Sequence, residues 1–400
     1  MSVGREDVLD VALDEATEDR YSRLELIPWW DQARLRDARV LVVGAGALGN
    51  ELLKNLALLG VGHVHLIDLD RIESSNLSRS VLFRAGDEGE SKAEVAARRA
   101  HELNPDIEVL PLVGDVMTDI GLGLFRDVDV VLGGLDNREA RLFINQSCWK
   151  VGTPWIDGAI EVLHGVARVF VPGEGACYEC TMSEVDYQLL SNRRSCALLT
   201  RDEVEQGKIP TTPTVASVIA GIQVQEFIKL LHKERDLPVL VGRGFVFNGL
   251  THDSYIVEYP VRPDCLAHDH YETIMELPVS ASSCRLGECL DWAEDALGEE
   301  AGIELERELV VGLSCPGCGT MDPALTLLSK MRESEARCPE CAKVRVPHMV
   351  HFLNRGSLLQ DKVLTELGIP PYDIVTARAG MERIHGVLGG DRRLALGGGE

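Results

Sequence analysis

Apolar residues in the first two thirds of the chain fall into short unbroken blocks separated by helical stripes. Residues 39–44 (RVLVVG) form one such block, as expected of a strand buried on both faces. From Ala47 to Leu59 the apolar positions recur three and four apart, which predicts an amphipathic helix. HVHLIDLD (63–70) repeats the strand pattern and KAEVAARRAHEL (92–103) the helical one. IEVLPLVG, a further helix and DVDVVLGG (127–134) continue the series. This alternation predicts an α/β, Rossmann-like, mostly parallel sheet with helices on both faces. PTTPTVASVIAGIQVQEFIKLLH (210–232) breaks the rhythm. Its prolines and threonines suit a helix start, and the long apolar helix beyond them could pack across a domain or a dimer interface.

After about residue 270 the pattern changes. ETIMELPV reads as a strand and LGECLDWAEDALG as an amphipathic helix, followed by a Cys-rich segment and VLTELGIPPYDIVTARAG. The expected organisation is a flexible segment 1–19, a main domain 20–271, a smaller α+β domain 272–385 and a flexible Gly-rich tail 386–400. A net charge of −24 argues against non-specific binding to nucleic acid or anionic membranes. No apolar run approaches the length of a membrane span, and the acidic N-terminus is no secretory signal, so a cytoplasmic location is expected.

The first strand and helix are joined by GAGALG, in which Gly44, Gly46 and Gly49 make the G-x-G-x-x-G fingerprint. Such a turn brings backbone amides to a phosphate at a helix N-terminus. Asp68, ending the second strand, suits a ribose, so the loop alone fits NAD as well as ATP. The next residues favour ATP. DLDRIESSNLSRSVLFRAGDEGESKAE supplies Asn76, Arg79 and Lys92, two cations and an amide donor that hydride transfer does not need. Asp136, in LDNREAR, stands at the C-terminal end of a strand, where a carboxylate can hold Mg²⁺ between phosphate oxygens.

With RYSR (20–23), GAGALG, DLD, SNLSR, GESK and LDNREAR in order, residues 18–270 resemble the ThiF/MoeB-type adenylyltransferases and ubiquitin-activating enzymes. The resemblance implies that Asp68 and Asp70 lie at the nucleotide, Asp68 on its ribose. It places Asn76, Arg79 and Lys92 on the phosphates and Asp136 on the magnesium. Arg23 would reach into a neighbouring subunit's site, which implies a homodimer. The reaction it implies is adenylation of the C-terminal glycine of a small β-grasp protein.

Eleven cysteines, mostly in C-x-x-C pairs, fit metal ligation better than a disulfide framework. Cys315, Cys318, Cys338 and Cys341 have zinc-ribbon spacing, with nineteen residues between the pairs. Cys177 and Cys180 need two further ligands. The family resemblance points to RPDCLAHDH, where Cys265 and His268 would complete a Cys₃His zinc site, with His270 as the competitor. Cys196 stands apart, beside Arg193 and Arg194, whose charges favour a thiolate. IPTTPTVASVIAGIQVQE, downstream of it, resembles the segment after the catalytic cysteine in ubiquitin-type activating enzymes. That resemblance implies a thioester nucleophile in a loop near 181–210.

The smaller domain weakly resembles a β-grasp, ubiquitin-like fold with the zinc ribbon inserted, which implies a site for a conjugating enzyme; a free-standing zinc-ribbon interaction domain is the alternative. The expected function is activation of a ubiquitin-like modifier with ATP, Mg²⁺ and two structural Zn²⁺. The rivals are a sulfur-carrier adenylyltransferase without a thioester step, a nucleotide-binding scaffold, and an NAD oxidoreductase.

Overall fold

The computed structural model describes residues 18–183, 186 and 210–397 of the 400-residue chain. Its main sheet has eight strands in the order β3-β2-β1-β4-β5-β6-β7-β8. Five run parallel: β1 (Arg39–Val43), β2 (His63–Asp68), β3 (Glu108–Val113), β4 (Val130–Gly133) and β5 (Trp155–Glu161). The last three, β6 (His164–Phe170), β7 (Arg243–Asn248) and β8 (Asp253–Glu258), extend it antiparallel. Successive side chains of β1 point to opposite faces, so both faces carry a core. Val40 and Val42 join a cluster with α1 (Gln32–Asp37), α2 (Ala47–Leu59) and α3 (Lys92–Leu103). Leu41 and Val43 join another with α4 (Leu122–Asp127) and α5 (Arg138–Val151).

Helix α6 (Pro213–Leu231) lies against β5, β6 and α2. Contrary to the sequence expectation, it is long and apolar enough, by length and composition, to cross a membrane. Here it is a core helix: Val215, Ile219, Val224 and Phe227 are buried, as are the polar Gln223 and Glu226. Gln223 donates to the Gly133 and Ile156 carbonyls, and Glu226 accepts from the Leu240 N–H.

The C-terminal part forms a second, mixed sheet. β9 (Ile274–Leu277) lies parallel to β14 (Glu382–Leu388), which pairs antiparallel with β13 (Ile374–Ala379). β13 pairs with the start of the long β10 (Gly302–Ser314), and β10 continues outward between β11 (Met321–Leu327) and β12 (Val346–Leu353). Helix α7 (Leu286–Leu297) buries Leu286, Cys289, Leu290 and Ala293 against Ile303, Leu309, Val375 and Leu388.

Each side of the boundary near residue 271 has a core of its own, and a third core crosses it. Tyr271, Tyr372, Ile374 and Val387 belong to the same cluster as Leu41, Phe125 and Val131. At the junction, α4 receives the segment before β13. The Leu122 N–H donates to Asp373 Oδ1 at 2.8 Å and the Gly123 N–H to the Tyr372 carbonyl at 2.9 Å. A Cβ on Gly123 would lie 2.4 Å from that carbonyl oxygen, so a side chain there would force the two parts apart. Arg307 closes the junction, paired with Asp373 at 2.8 Å.

The tail requires a correction as well. Residues 386–397 are built into the fold. Asp391 is buried and accepts from the Ala281 N–H at 2.7 Å and the Tyr372 N–H at 3.2 Å. The short helix Arg392–Ala395 comes next, and Ala395 and Leu396 pack onto the core. Glycine content suggested disorder; two apolar residues and one buried, hydrogen-bonded carboxylate outweigh it.

Where the tail meets β2, His65 is buried with neither ring nitrogen hydrogen-bonded, and burial lowers its pKa to about 4. Below pH ~6.5 the unfolded chain takes up a proton that the folded one refuses, so folding stability falls as pH drops toward 4. The expected loss is on the order of 3 kcal/mol. Urea unfolding at a series of pH values measures it. His65→Leu should flatten the profile, and an unchanged slope would remove this ring as the cause.

Candidate functional site

Three strand ends, those of β1, β2 and β4, converge on the GAGALG turn. Gly44 has φ +94°, a conformation that side chains resist. Its N–H donates to the Ile67 carbonyl at 2.8 Å, while the Gly134 N–H donates to Val43 at 2.8 Å. A Cβ on Gly49 would lie 1.8 Å from the Gly44 carbonyl oxygen, so only glycine lets α2 pack this close to the turn. Gly46 differs: it caps α2 and nothing lies within 4 Å of where its Cβ would stand. That open space faces the free N–H groups of a thirteen-residue helix, an arrangement that attracts phosphate.

Asp68 fixes the turn from behind. Its two oxygens accept from the Ala45 N–H at 2.6 Å and the Asp70 N–H at 2.7 Å. Burial raises its pKa, against the nearby Lys92 charge and these two donors. Each oxygen keeps a second lone pair for a ribose hydroxyl. Lys92 opens α3 and pairs with Asp70 at 2.7 Å. Asn76 is buried and accepts from the Glu73 N–H at 2.9 Å through Oδ1, leaving its amide nitrogen as a donor. Arg79 donates to the Ser75 carbonyl at 2.7 Å and keeps further donors. Asp136 is exposed just past β4, and among the described residues only the Asn137 amide reaches it, at 3.5 Å. A carboxylate left this free suits a hard cation such as Mg²⁺.

Sequence reading missed Asn50, one residue beyond the fingerprint. Fully buried, it donates to the Ala45 and Gly46 carbonyls and accepts from the Leu82 N–H. Its signal was an amide inside an apolar helix. Tyr21 of RYSR packs under Gly60 and meets Asn104 at 2.7 Å, whereas Arg23 is exposed. Cys196, Arg193 and Arg194 lie outside the described residues.

Two groups of four metal-type ligands assemble from the paired cysteines. Cys177, Cys180, Cys265 and His268 bring their ligand atoms within 4.8 Å of one another. Cys177 lies 3.6 Å from Cys265, and His268 Nε2 lies 3.4 Å from Cys180. Trp149 stacks on the His268 ring at 4.6 Å and fixes its plane. His270 turns instead to the Trp149 carbonyl, 3.2 Å from its Nδ1, and is not part of the group. Cys315, Cys318, Cys338 and Cys341 form the second group where β10 ends and the loop leading to β12 returns, with Cys315 3.3 Å from Cys341. Both sets offer the soft donors that zinc takes in tetrahedral structural sites. Cys148 is buried in the core.

The ThiF family pattern matches residues 19–267. A SAMP-activating enzyme E1 of Haloferax volcanii is 34% identical over 266 residues, covering 64% of this chain and 91% of that protein. The sulfur carrier protein ThiS adenylyltransferase of Bacillus subtilis is 38% identical over 168 residues, covering 41% of this chain and 50% of that protein. This chain therefore spans most of the first relative and half of the second. The crystal structure of E. coli MccB with ATP superposes with a TM-score of 0.53 and 25% identity, over 64% of this chain and 75% of that one.

Proposed function

The chain belongs to the ThiF family, and from that premise we propose that it uses ATP to adenylate the C-terminal glycine of a small ubiquitin-like protein. The observation that carries this reading is the phosphate cradle, with Gly46 open at the head of α2, Asp68 bonded to the turn and Lys92 paired to the neighbouring Asp70; the family resemblance adds Asn76 and Arg79. A carboxylate oxygen of the glycine attacks the α-phosphorus of ATP. The bond to the bridging oxygen breaks and pyrophosphate leaves with the electron pair. Chemistry of this kind needs positioning and charge stabilisation more than a general base. The α2 amides orient the phosphates, Arg79 and Lys92 meet the charge on the leaving oxygens, and Asp68 holds the ribose. Magnesium, held by Asp136, would neutralise charge between phosphate oxygens. Two zinc ions would brace the cysteine clusters without taking part in chemistry.

In the second step the Cys196 thiolate attacks the acyl carbon and releases AMP, leaving the modifier as a thioester. A conjugating enzyme docked on the C-terminal domain then receives it. Two copies work as a homodimer, each lending Arg23 to the other, in the cytoplasm. The E1 name of the haloarchaeal relative supports this reading. The name of the Bacillus relative favours the second one, in which the adenylate of a sulfur carrier is the end product and Cys196 carries no acyl group.

A non-reducing gel of the enzyme with Mg-ATP and a β-grasp protein ending in glycine tests both. The expected result is a thiol-sensitive adduct that disappears in Cys196→Ala. Pyrophosphate exchange without an adduct would hand the case to the sulfur-carrier reading. Neither signal with several candidate partners would overturn adenylation itself.

A further inference from the structure

Asp136 is exposed, yet the loop that carries it is gripped from inside the protein. Arg141, one helical turn into α5, is 7% exposed. One of its terminal nitrogens donates to the Leu135 carbonyl at 2.6 Å and to the Gly158 carbonyl at 3.1 Å. The other reaches the Asn137 carbonyl at 3.4 Å. The peptide group just before Asp136 and the one just after Asn137 thus hang on one guanidinium. Gln223 holds the Gly133 carbonyl just before them, at 2.9 Å.

The guanidinium is itself aimed by Asp157, which is fully buried and accepts from Arg141 Nε at 2.8 Å. The second oxygen of Asp157 accepts from Arg168, whose guanidinium lies 5.0 Å from the centre of the Tyr178 ring in the Cys177–Cys180 loop. Burial pushes the Asp157 carboxyl up, but the two arginines outweigh it and hold its pKa below the ordinary value. A buried arginine with a single partner charge would serve packing alone. This one commits its remaining donors to the loop next door, in a fork that lysine cannot reproduce.

We propose that Arg141, aimed by Asp157, is the positioning residue that fixes the Asp136 carboxylate for the metal of Mg-ATP. The inference rests on the adenylation reading above, and its test separates the two. Titration calorimetry measures ATP affinity in EDTA and in excess Mg²⁺ for wild type, Arg141→Lys, Asp136→Ala and the double variant. Wild type should bind ATP more tightly with Mg²⁺; failure to bind ATP at all would sink the adenylation reading. Arg141→Lys should keep the EDTA affinity within about 2-fold and lose most of the Mg²⁺ enhancement, as Asp136→Ala does. The double variant should lose no more than either alone, because residues acting through one another are not additive. Arg168→Lys, which touches Asp157 but not the loop, should lower the melting temperature and keep the enhancement. Should Arg141→Lys fail to fold, Asp157→Asn carries the same comparison. A full Mg²⁺ enhancement in a folded Arg141 or Asp157 variant would reduce this pair to packing and overturn the proposal.

Discussion

A Gly49→Ala enzyme given Mg-ATP and a β-grasp partner is expected to exchange pyrophosphate at least ~100-fold more slowly than wild type, since displacement by about 1 Å costs that much. The added methyl would lie 1.8 Å from the Gly44 carbonyl oxygen, which is backbone and has no rotamer to escape through. Either α2 withdraws or the turn flattens, and both move the amides that face the phosphates. Gly46→Ala is the informative companion. Its methyl meets nothing in the chain, so the protein should fold with unchanged stability and still bind ATP poorly, because the methyl enters the space meant for phosphate. Pyrophosphate exchange and thermal melts on both variants check the pair. Normal ATP affinity in Gly46→Ala would mean the nucleotide lies elsewhere.

Tyr372→Ala should destabilise the whole chain by about 4 kcal/mol, the usual cost of emptying a buried aromatic site. The ring is fully buried among residues from both sheets, and its hydroxyl donates to Asp127 at 2.7 Å. Its peptide carbonyl also accepts from Gly123. In a chain of this size that is roughly a 5 °C fall in melting temperature. Tyr372→Phe keeps the volume and should cost only ~1 kcal/mol. Differential scanning calorimetry distinguishes a single lowered transition from two. Two transitions, with only the C-terminal one shifted, would show that the parts melt independently.

The inner parallel strands of the main sheet were legible because they are buried on both faces and read as nearly unbroken apolar blocks, as RVLVV does. The phosphate loop was legible for a related reason: Gly44 and Gly49 sit where no side chain fits, and that constraint is written in residue type. Metal-ligand spacing located the Cys315–Cys341 cluster and the family resemblance supplied Cys265 and His268 for the other, whereas the choice between His268 and His270 depended on which ring Trp149 stacks against. The buried polar network was hidden because it is cooperative. Arg141, Asp157 and Arg168 are separated along the chain and ordinary one by one; only the fold brings them together. The tail was misread because composition describes a segment alone, while Asp391 and Leu396 are ordered by the surfaces they dock on.

The shared core has a consequence for synthesis. Tyr372, Ile374 and Val387 complete a cluster begun at Leu41, about 330 residues earlier. A chain emerging from the ribosome N-terminus first can cover one face of its main sheet early, with α2 and α3. The other face stays incomplete until residues 372–387 have followed. Until then the nascent protein carries exposed aliphatic surface, the condition under which chaperones are recruited.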